Sequence, residues 1–278
     1  MNKIYFVTGS QDLYGEETLA QAARDSTKMA DFLNEKLSDI AEVVFQPVVK
    51  TADEAEDICV RASSDRECIG VIMWMHTFSP AKMWIRALKA LKKPMLHLHT
   101  QFNEKLPYAS IDMDFMNLNQ SAHGDREFGF ICTRLGIKRE VVAGYYQHED
   151  VIEKIRRFAH AASAVSFSRT LRVAKLGNNM RDVAVTDGDR VESEIRFGWN
   201  VNYYGIGDVA EIADSVTESE IDAKMAEYTE KYTMATDNIA AVREQAKYEA
   251  ALDKFIAREK IGAFTDTFQD LHGLNQLP

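Results

Sequence analysis

The 278-residue chain is 46% hydrophobic with only five prolines, enough apolar material for one large or two ordinary domains. Its net charge of −10, without clustered Lys or Arg, argues against nucleic acid and for a neutral small-molecule substrate. Three cysteines, Cys59, Cys68 and Cys132, lack zinc spacing, and no window has the apolar length of a membrane span; with no signal segment, the expectation is a cytoplasmic protein with no membrane partner.

In chain order, residues 4–8 read as a first strand. The loop GSQDLYG follows where a dinucleotide fingerprint would sit, but it lacks the three-glycine spacing and a Walker lysine. It offers Gln11 and Tyr14 as groups able to orient sugar hydroxyls, or it is an ordinary polar turn. Leu19, Ala22, Met29, Leu33 and Leu37 recur at helical spacing, and 42–49 returns as a strand. Thr51 and Glu54 spell a capping box. Residues 70–75 form a buried strand, Ser79 and Pro80 cap a helix with Trp84, Leu88 and Leu91 inward, and 95–99 is a fourth strand. An irregular crossing over 100–120 leads to a helix over 126–135, a strand over 140–145 and a helix over 150–168.

A second unit opens with the strand 171–176. Asp187 and Gly188 make a turn, and 191–197 reads as strand or helix. Thr217 and Glu220 form another capping box, ahead of a stripe of Ile221, Met225, Tyr228 and Tyr232. A longer helix carries Tyr248, Leu252 and Phe255. The alternation predicts an α/β protein: a Rossmann-like open parallel-sheet domain over 1–169, followed by a second, incomplete α/β domain over 170–278. Phe264, Phe268, Leu271 and Leu274 make a C-terminal apolar edge with nothing in the sequence to cover it.

The chemistry concentrates in 71–116, where strand ends meet aromatics, histidines and carboxylates, the edge where open α/β sheets place ligands. His97 and His99, two apart on a strand, share a face and can hold a metal. Asp112 and Asp114 repeat the spacing. No third ligand is defined, and the four are read as satisfied polar groups beside a pocket. His76 and His123 stand at strand ends or helix starts, where either can touch a ligand or serve structure. Trp74, Phe78 and Trp84 are either a sugar-stacking wall or core.

Taken together, GSQDLYGEETL, WMHTFSPAKMW, HTQFN, SIDMDFMNLNQSAHG, REFGFI, NNMRDVAVTDGD and DTFQDLHGLNQLP resemble the L-arabinose isomerase family, in family order and over nearly the whole chain. The resemblance implies a cytoplasmic, homo-oligomeric enzyme with two α/β domains here, interconverting L-arabinose and L-ribulose, and often D-galactose and D-tagatose, with Mn2+. It implies substrate-pocket roles for Gln11, Leu13, Phe78, Met180 and Phe268, and places Gln120 and His123 in a neighbouring subunit's site. The family loop around His123 is usually glycine-rich; Asp125 departs from it and adds a charge at that contact. The family's metal is held by two glutamates and two histidines C-terminal to LHGLNQLP, and the glutamates transfer the proton. The expectation is therefore a truncated chain, inactive alone, with no catalytic residue, metal ligand or tightly bound cofactor of its own. The alternative is a non-catalytic Rossmann-like sugar-binding or regulatory module.

Overall fold

The computed structural model describes residues 1–267 and 269–271. The chain divides into two compact units, Met1–Ser166 and Phe167–Pro278. In the first, β1 (Lys3–Thr8), α1 (Gly15–Leu37), β2 (Glu42–Phe45), α2 (Ala52–Ser64), β3 (Cys68–Trp74), α3 (Trp84–Ala90) and β4 (Met95–His99) follow in turn, then α4 (Met113–Leu118), α5 (Ser121–Arg134), β5 (Glu140–Ala143) and α6 (Glu149–Ser168). The five strands lie in the order β2-β1-β3-β4-β5, all neighbours parallel. This is the flavodoxin-like doubly wound order, with its topological switch between β1 and β3.

Both faces of that sheet are covered, and strand alternation decides which residue goes where. Ile4 and Phe6 of β1 join Ile72 and Trp74 of β3 in a core with Met29 and Leu33 of α1 and Ile155 of α6. Their neighbours Tyr5, Val7, Val71 and Met73 pack on the opposite face against Ile58 of α2, Trp84 and Leu88 of α3, and Phe128 of α5. All seven residues of β3 are buried, so its sequence is a continuous apolar run rather than an alternation.

Three local expectations are corrected. The second strand stops at Phe45: the Gln46 N–H still donates to the Phe6 carbonyl, but the register then slips by one residue, so that Val49 rather than Val48 donates to the Thr8 carbonyl and an isolated bridge, Gly9 to Val49, follows. Ser79 does not cap the following helix: its Oγ accepts from the Trp84 indole N–H at 2.9 Å, while the Ala81 N–H is taken up by Glu127 Oε2 at 3.0 Å. The helix expected over 126–135 begins at Ser121. The Thr51–Glu54 capping box forms as read.

The second unit contains β6 (Arg172–Leu176), α7 (Arg190–Phe197), β7 (Asn200–Tyr204), α8 (Ile206–Asp214), α9 (Glu218–Lys231), α10 (Ile239–Glu259) and β8 (Ala263–Asp266). Its parallel sheet runs β7-β6-β8. The segment 191–197 lies in the helix α7, N-capped by Asp189 and closed by Gly198 in the left-handed region. β7 and α8 are not among the expected elements: no residue of β7 is fully buried, so NVNYY carries no inward alternation, whereas α8 does bury Val209, Ala210, Ile212 and Ala213 and its apolar spacing is legible. The core here is Ala174 and Leu176 against Val209 and Ile212 of α8 and Ala251 and Phe255 of α10. Tyr232 does not complete the α9 stripe: it follows the last turn and is 69% exposed. Phe264 is also exposed, whereas Leu271 packs partly against this core; Phe268 and Leu274 lie outside the described residues.

Gly9 is where the first unit is tightest. A Cβ there would meet Met75 Sδ at 2.5 Å and Ser79 Oγ at 2.8 Å, and the Gly9 N–H donates to the Trp74 carbonyl at 3.0 Å. Gly9→Ala is expected to cost about 1–3 kcal/mol in urea unfolding, by overpacking; unchanged stability would show that the two loops part without cost.

Candidate functional site

The loops after β1 and β3 meet at the switch point, the usual ligand crevice of an open α/β sheet. Here they fill it themselves. Besides the Gly9 contact, the Thr77 hydroxyl donates to Ser10 Oγ at 2.7 Å and the Ser10 N–H to the Val49 carbonyl at 2.7 Å. Ligand-facing surface is therefore displaced to the rim. Leu13, in the short turn after β1, is 85% exposed, an unfavourable position for a large apolar side chain, and Gln11 and Phe78 are half-buried.

α5 completes this rim. The Gln120 N–H donates to the His76 carbonyl at 3.1 Å, and a Cβ at Gly124 would lie 2.8 Å from the Thr77 carbonyl, so only glycine lets the first turn of α5 settle on the β3 loop. That docking sets His123, itself exposed, against Phe78 with ring centroids 4.5 Å apart. Phe78, Gln120 and His123 are thus brought together, with Gln11 and Leu13 on the adjoining β1 loop. Met180 lies in the second unit, half-buried in the loop after β6, where its carbonyl accepts from the Val183 N–H. Phe268 is outside the described residues.

Other candidates fall into structural roles. Trp74 and Trp84 are fully buried core. His76 is also fully buried; its ring stacks on Trp74 at 4.2 Å and its Nε2 lies 3.2 Å from Asp25 Oδ2. Burial pushes the His76 imidazolium below its ordinary range, only partly opposed by Asp25. Asp112 accepts from the Phe115 N–H at 2.8 Å to cap α4; both it and Asp114 are exposed, and neither joins the histidines. All three cysteines are free and buried.

His97 and His99 do share a face, ring centroids 4.0 Å apart, and the third group is Asp125. Asp125 is not a charge at the rim. It is 2% exposed and faces inward, its Oδ1 2.8 Å from His97 Nε2, while His97 Nδ1 is 3.0 Å from His99 Nε2. Burial raises the Asp125 carboxyl to about 8 and lowers both imidazoles. The signal for Asp125 was available: Ser121, Gly124, Asp125, Phe128 and Cys132 are the buried stripe of α5, visible once the helix is started at Ser121. His99 and Asp125 line a cavity of about 390 Å³ with Gln101, Glu104, Ser121 and Tyr145.

Among the described residues this is the one group of three or more metal-capable side chains. It holds no glutamate, so it does not fit a site of two glutamates and two histidines.

Fold and rim together define a doubly wound α/β unit whose candidate site residues stand at the rim of a filled switch point, followed by a smaller parallel α/β unit. Residues 1–170 match the L-arabinose isomerase N-terminal domain and 172–278 the L-arabinose isomerase central domain. The chain is 49% identical to an L-arabinose isomerase of Shouchella clausii, over 99% of this chain and 57% of that protein. It is 48% identical to those of Thermotoga petrophila and Geobacillus thermodenitrificans, again over 99% of this chain and 56% and 57% of theirs. The chain belongs to the L-arabinose isomerase family. It spans a little over half the length of these curated relatives.

Burial of neutral His76 has a signed consequence. Its folded pKa lies below the ordinary 6.5, so stability is full above that value and is lost as pH falls through it, because only the unfolded chain takes the proton. His97 and His99 act in the same direction and Asp125 in the opposite one; a variant difference isolates His76. Between pH 7 and 5.5, His76→Gln is expected to flatten the pH dependence of urea unfolding by up to about 1.4 kcal/mol per pH unit, one proton's worth. An identical slope would place the His76 proton in both states.

Proposed function

We propose that this chain forms the sugar-positioning part of an aldose–ketose isomerase that converts L-arabinose to L-ribulose, and that its rim of Gln11, Leu13, Phe78, Gln120 and His123 faces a sugar site shared with a neighbouring subunit. The observation that carries this reading is the Phe78–His123 pair: an aromatic and an imidazole 4.5 Å apart, held on a docked helix start yet left open beside an 85% exposed leucine. An apolar ring beside a hydrogen-bonding one suits a sugar, whose C–H faces and hydroxyls alternate. Met180, and Phe268 beyond the described residues, add substrate contacts from the second unit in this reading.

Moving a carbonyl from C1 to C2 removes a weakly acidic proton beside a carbonyl and passes through an ene-diol. The rim residues bind and orient the sugar, which accelerates the step by fixing the reacting carbons. The proton-transfer carboxylates and the Mn2+ of the complete enzyme belong, we propose, to the part of the relatives that this chain does not span; the working enzyme is a cytoplasmic homo-oligomer. Family membership across 99% of the chain favours this over a free-standing sugar-binding or regulatory module.

The chain alone, given Mn2+ and L-arabinose, is expected to form no ketose, while a fusion to the distal portion of the Shouchella clausii relative forms it. In that fusion His123→Ala is expected to lower kcat/KM about tenfold to a hundredfold, the scale of one lost hydrogen bond to a developing charge, with unchanged circular dichroism. Mixing it with a fusion inactivated in the distal half should restore part of the activity. A folded, assembled fusion with no turnover, or full turnover by the chain alone, would overturn the reading.

A further inference from the structure

We propose that His97 Nδ1 and His99 Nε2 form a divalent transition-metal site opening into the cavity at the β4 end of the first sheet, with Asp125 as the carboxylate that orients His97 and with solvent or a small ligand completing the coordination.

The two nitrogens are 3.0 Å apart. Two imidazoles on one tetrahedral ion at about 2.0–2.1 Å lie roughly 3.3 Å apart, so ring rotations of a few tenths of an ångström open the pair to admit the ion. Strand alternation makes the arrangement: Leu96 and Leu98 enter the core on one face of β4, sending His97 and His99 to the other. There His97 meets Phe128 edge-on at 4.9 Å and is pinned by Asp125 Oδ1 at 2.8 Å from its Nε2. A carboxylate on the far nitrogen of a ligating histidine fixes its tautomer and raises its basicity. In the metal-bound form Asp125 is the carboxylate that accepts from His97 Nε2–H, the His97 Nδ1 and His99 Nε2 lone pairs face the ion, His99 keeps its proton on Nδ1, and any proton on the Asp125 carboxyl leaves to solvent.

His97 and Asp125 are buried, but His99 is half-exposed and lines the 390 Å³ cavity, so an ion has a way in and room for further ligands. Gln101, Asn103 and Glu104 on the cavity wall offer oxygen donors. With two imidazoles and no carboxylate as a direct ligand, the site favours Zn2+, Co2+ or Ni2+ over Mn2+, unlike a site that adds two glutamates to its two histidines. Asp125 lies two residues beyond His123 on α5, so an ion at His97 and His99 tightens the helix start that carries the rim.

The test is calorimetric titration of the EDTA-treated chain with Zn2+, with thermal unfolding and the visible spectrum of the Co2+ form as second readouts. The proposal expects one saturable Zn2+ per chain, a raised Tm as for any ligand that binds only the folded state, and the absorption of tetrahedral Co2+. His99→Ala should abolish all three. Asp125→Asn should keep the stoichiometry and weaken binding about tenfold to a hundredfold, and His160→Ala, exposed on α6 away from the cavity, should change nothing. Should His99→Ala fold poorly by circular dichroism, His99→Gln, which keeps a polar side chain of similar reach, takes its place. Absence of saturable binding by the wild type, binding unaltered in the folded His99 variant, or loss of binding in His160→Ala would each overturn the proposal.

Discussion

A parallel sheet covered by helices on both faces leaves chemistry only one place to go, the edge where its strands end. Ile4 and Phe6 are committed to one core and Tyr5 and Val7 to the other, so none of β1 is free to meet a ligand until the chain passes Thr8. The same holds for β3, buried along its whole length. The candidate rim residues Gln11, Leu13, Phe78, Gln120 and His123 all sit on the loops just beyond those strands or at the start of the helix that packs over them. The constraint also explains why the loops are so closely fitted: with Gly9 against Met75 and Ser79, the switch point is filled, and the exposed Leu13 and His123 and the half-buried Phe78 stand at its rim.

The helix α5 links the two features of this edge. Its first turn docks through Gln120 on the His76 carbonyl and through Gly124 on Thr77, which sets His123 at Phe78. One residue after Gly124, Asp125 turns inward to His97. The outward and inward groups are thus two residues apart on one helix, held by the same backbone contacts. Burial favours the neutral forms of both Asp125 and His97, and removing either leaves a buried polar group unpaired at a cost of about 1–3 kcal/mol. The pair therefore helps to fix α5 on β4.

Cavities in the second unit also lie where its strands end. A cavity of about 230 Å³ beside Leu176, Tyr248, Phe264 and Leu271 lies at the end of its three-stranded sheet. The unit is held mainly by one apolar cluster that buries Phe255, Leu176 and Ile212, and Lys224, only 17% exposed, ties α9 to α10 through Glu227, Glu249 and Asp253.

By itself the sequence determined the α/β alternation, the first-unit strands to within a few residues, the two capping boxes and the family, because apolar periodicity, local side-chain capping and long motif blocks are all properties of contiguous residues. It also placed His97 and His99 on one face, since strand alternation is local. It left open whether 191–197 was helix or strand, and it missed β7, whose exposed polar residues carry no burial pattern. Tertiary structure alone decided that Asp125 turns inward while His123, two residues earlier, faces out, that Asp112 and Asp114 stay away from the histidines, and that Trp74 and Trp84 are core. Those outcomes depend on which helix covers which face and on where its first turn begins. A contact between residues 28 apart in the chain, as between His97 and Asp125, is set by packing that no local pattern encodes.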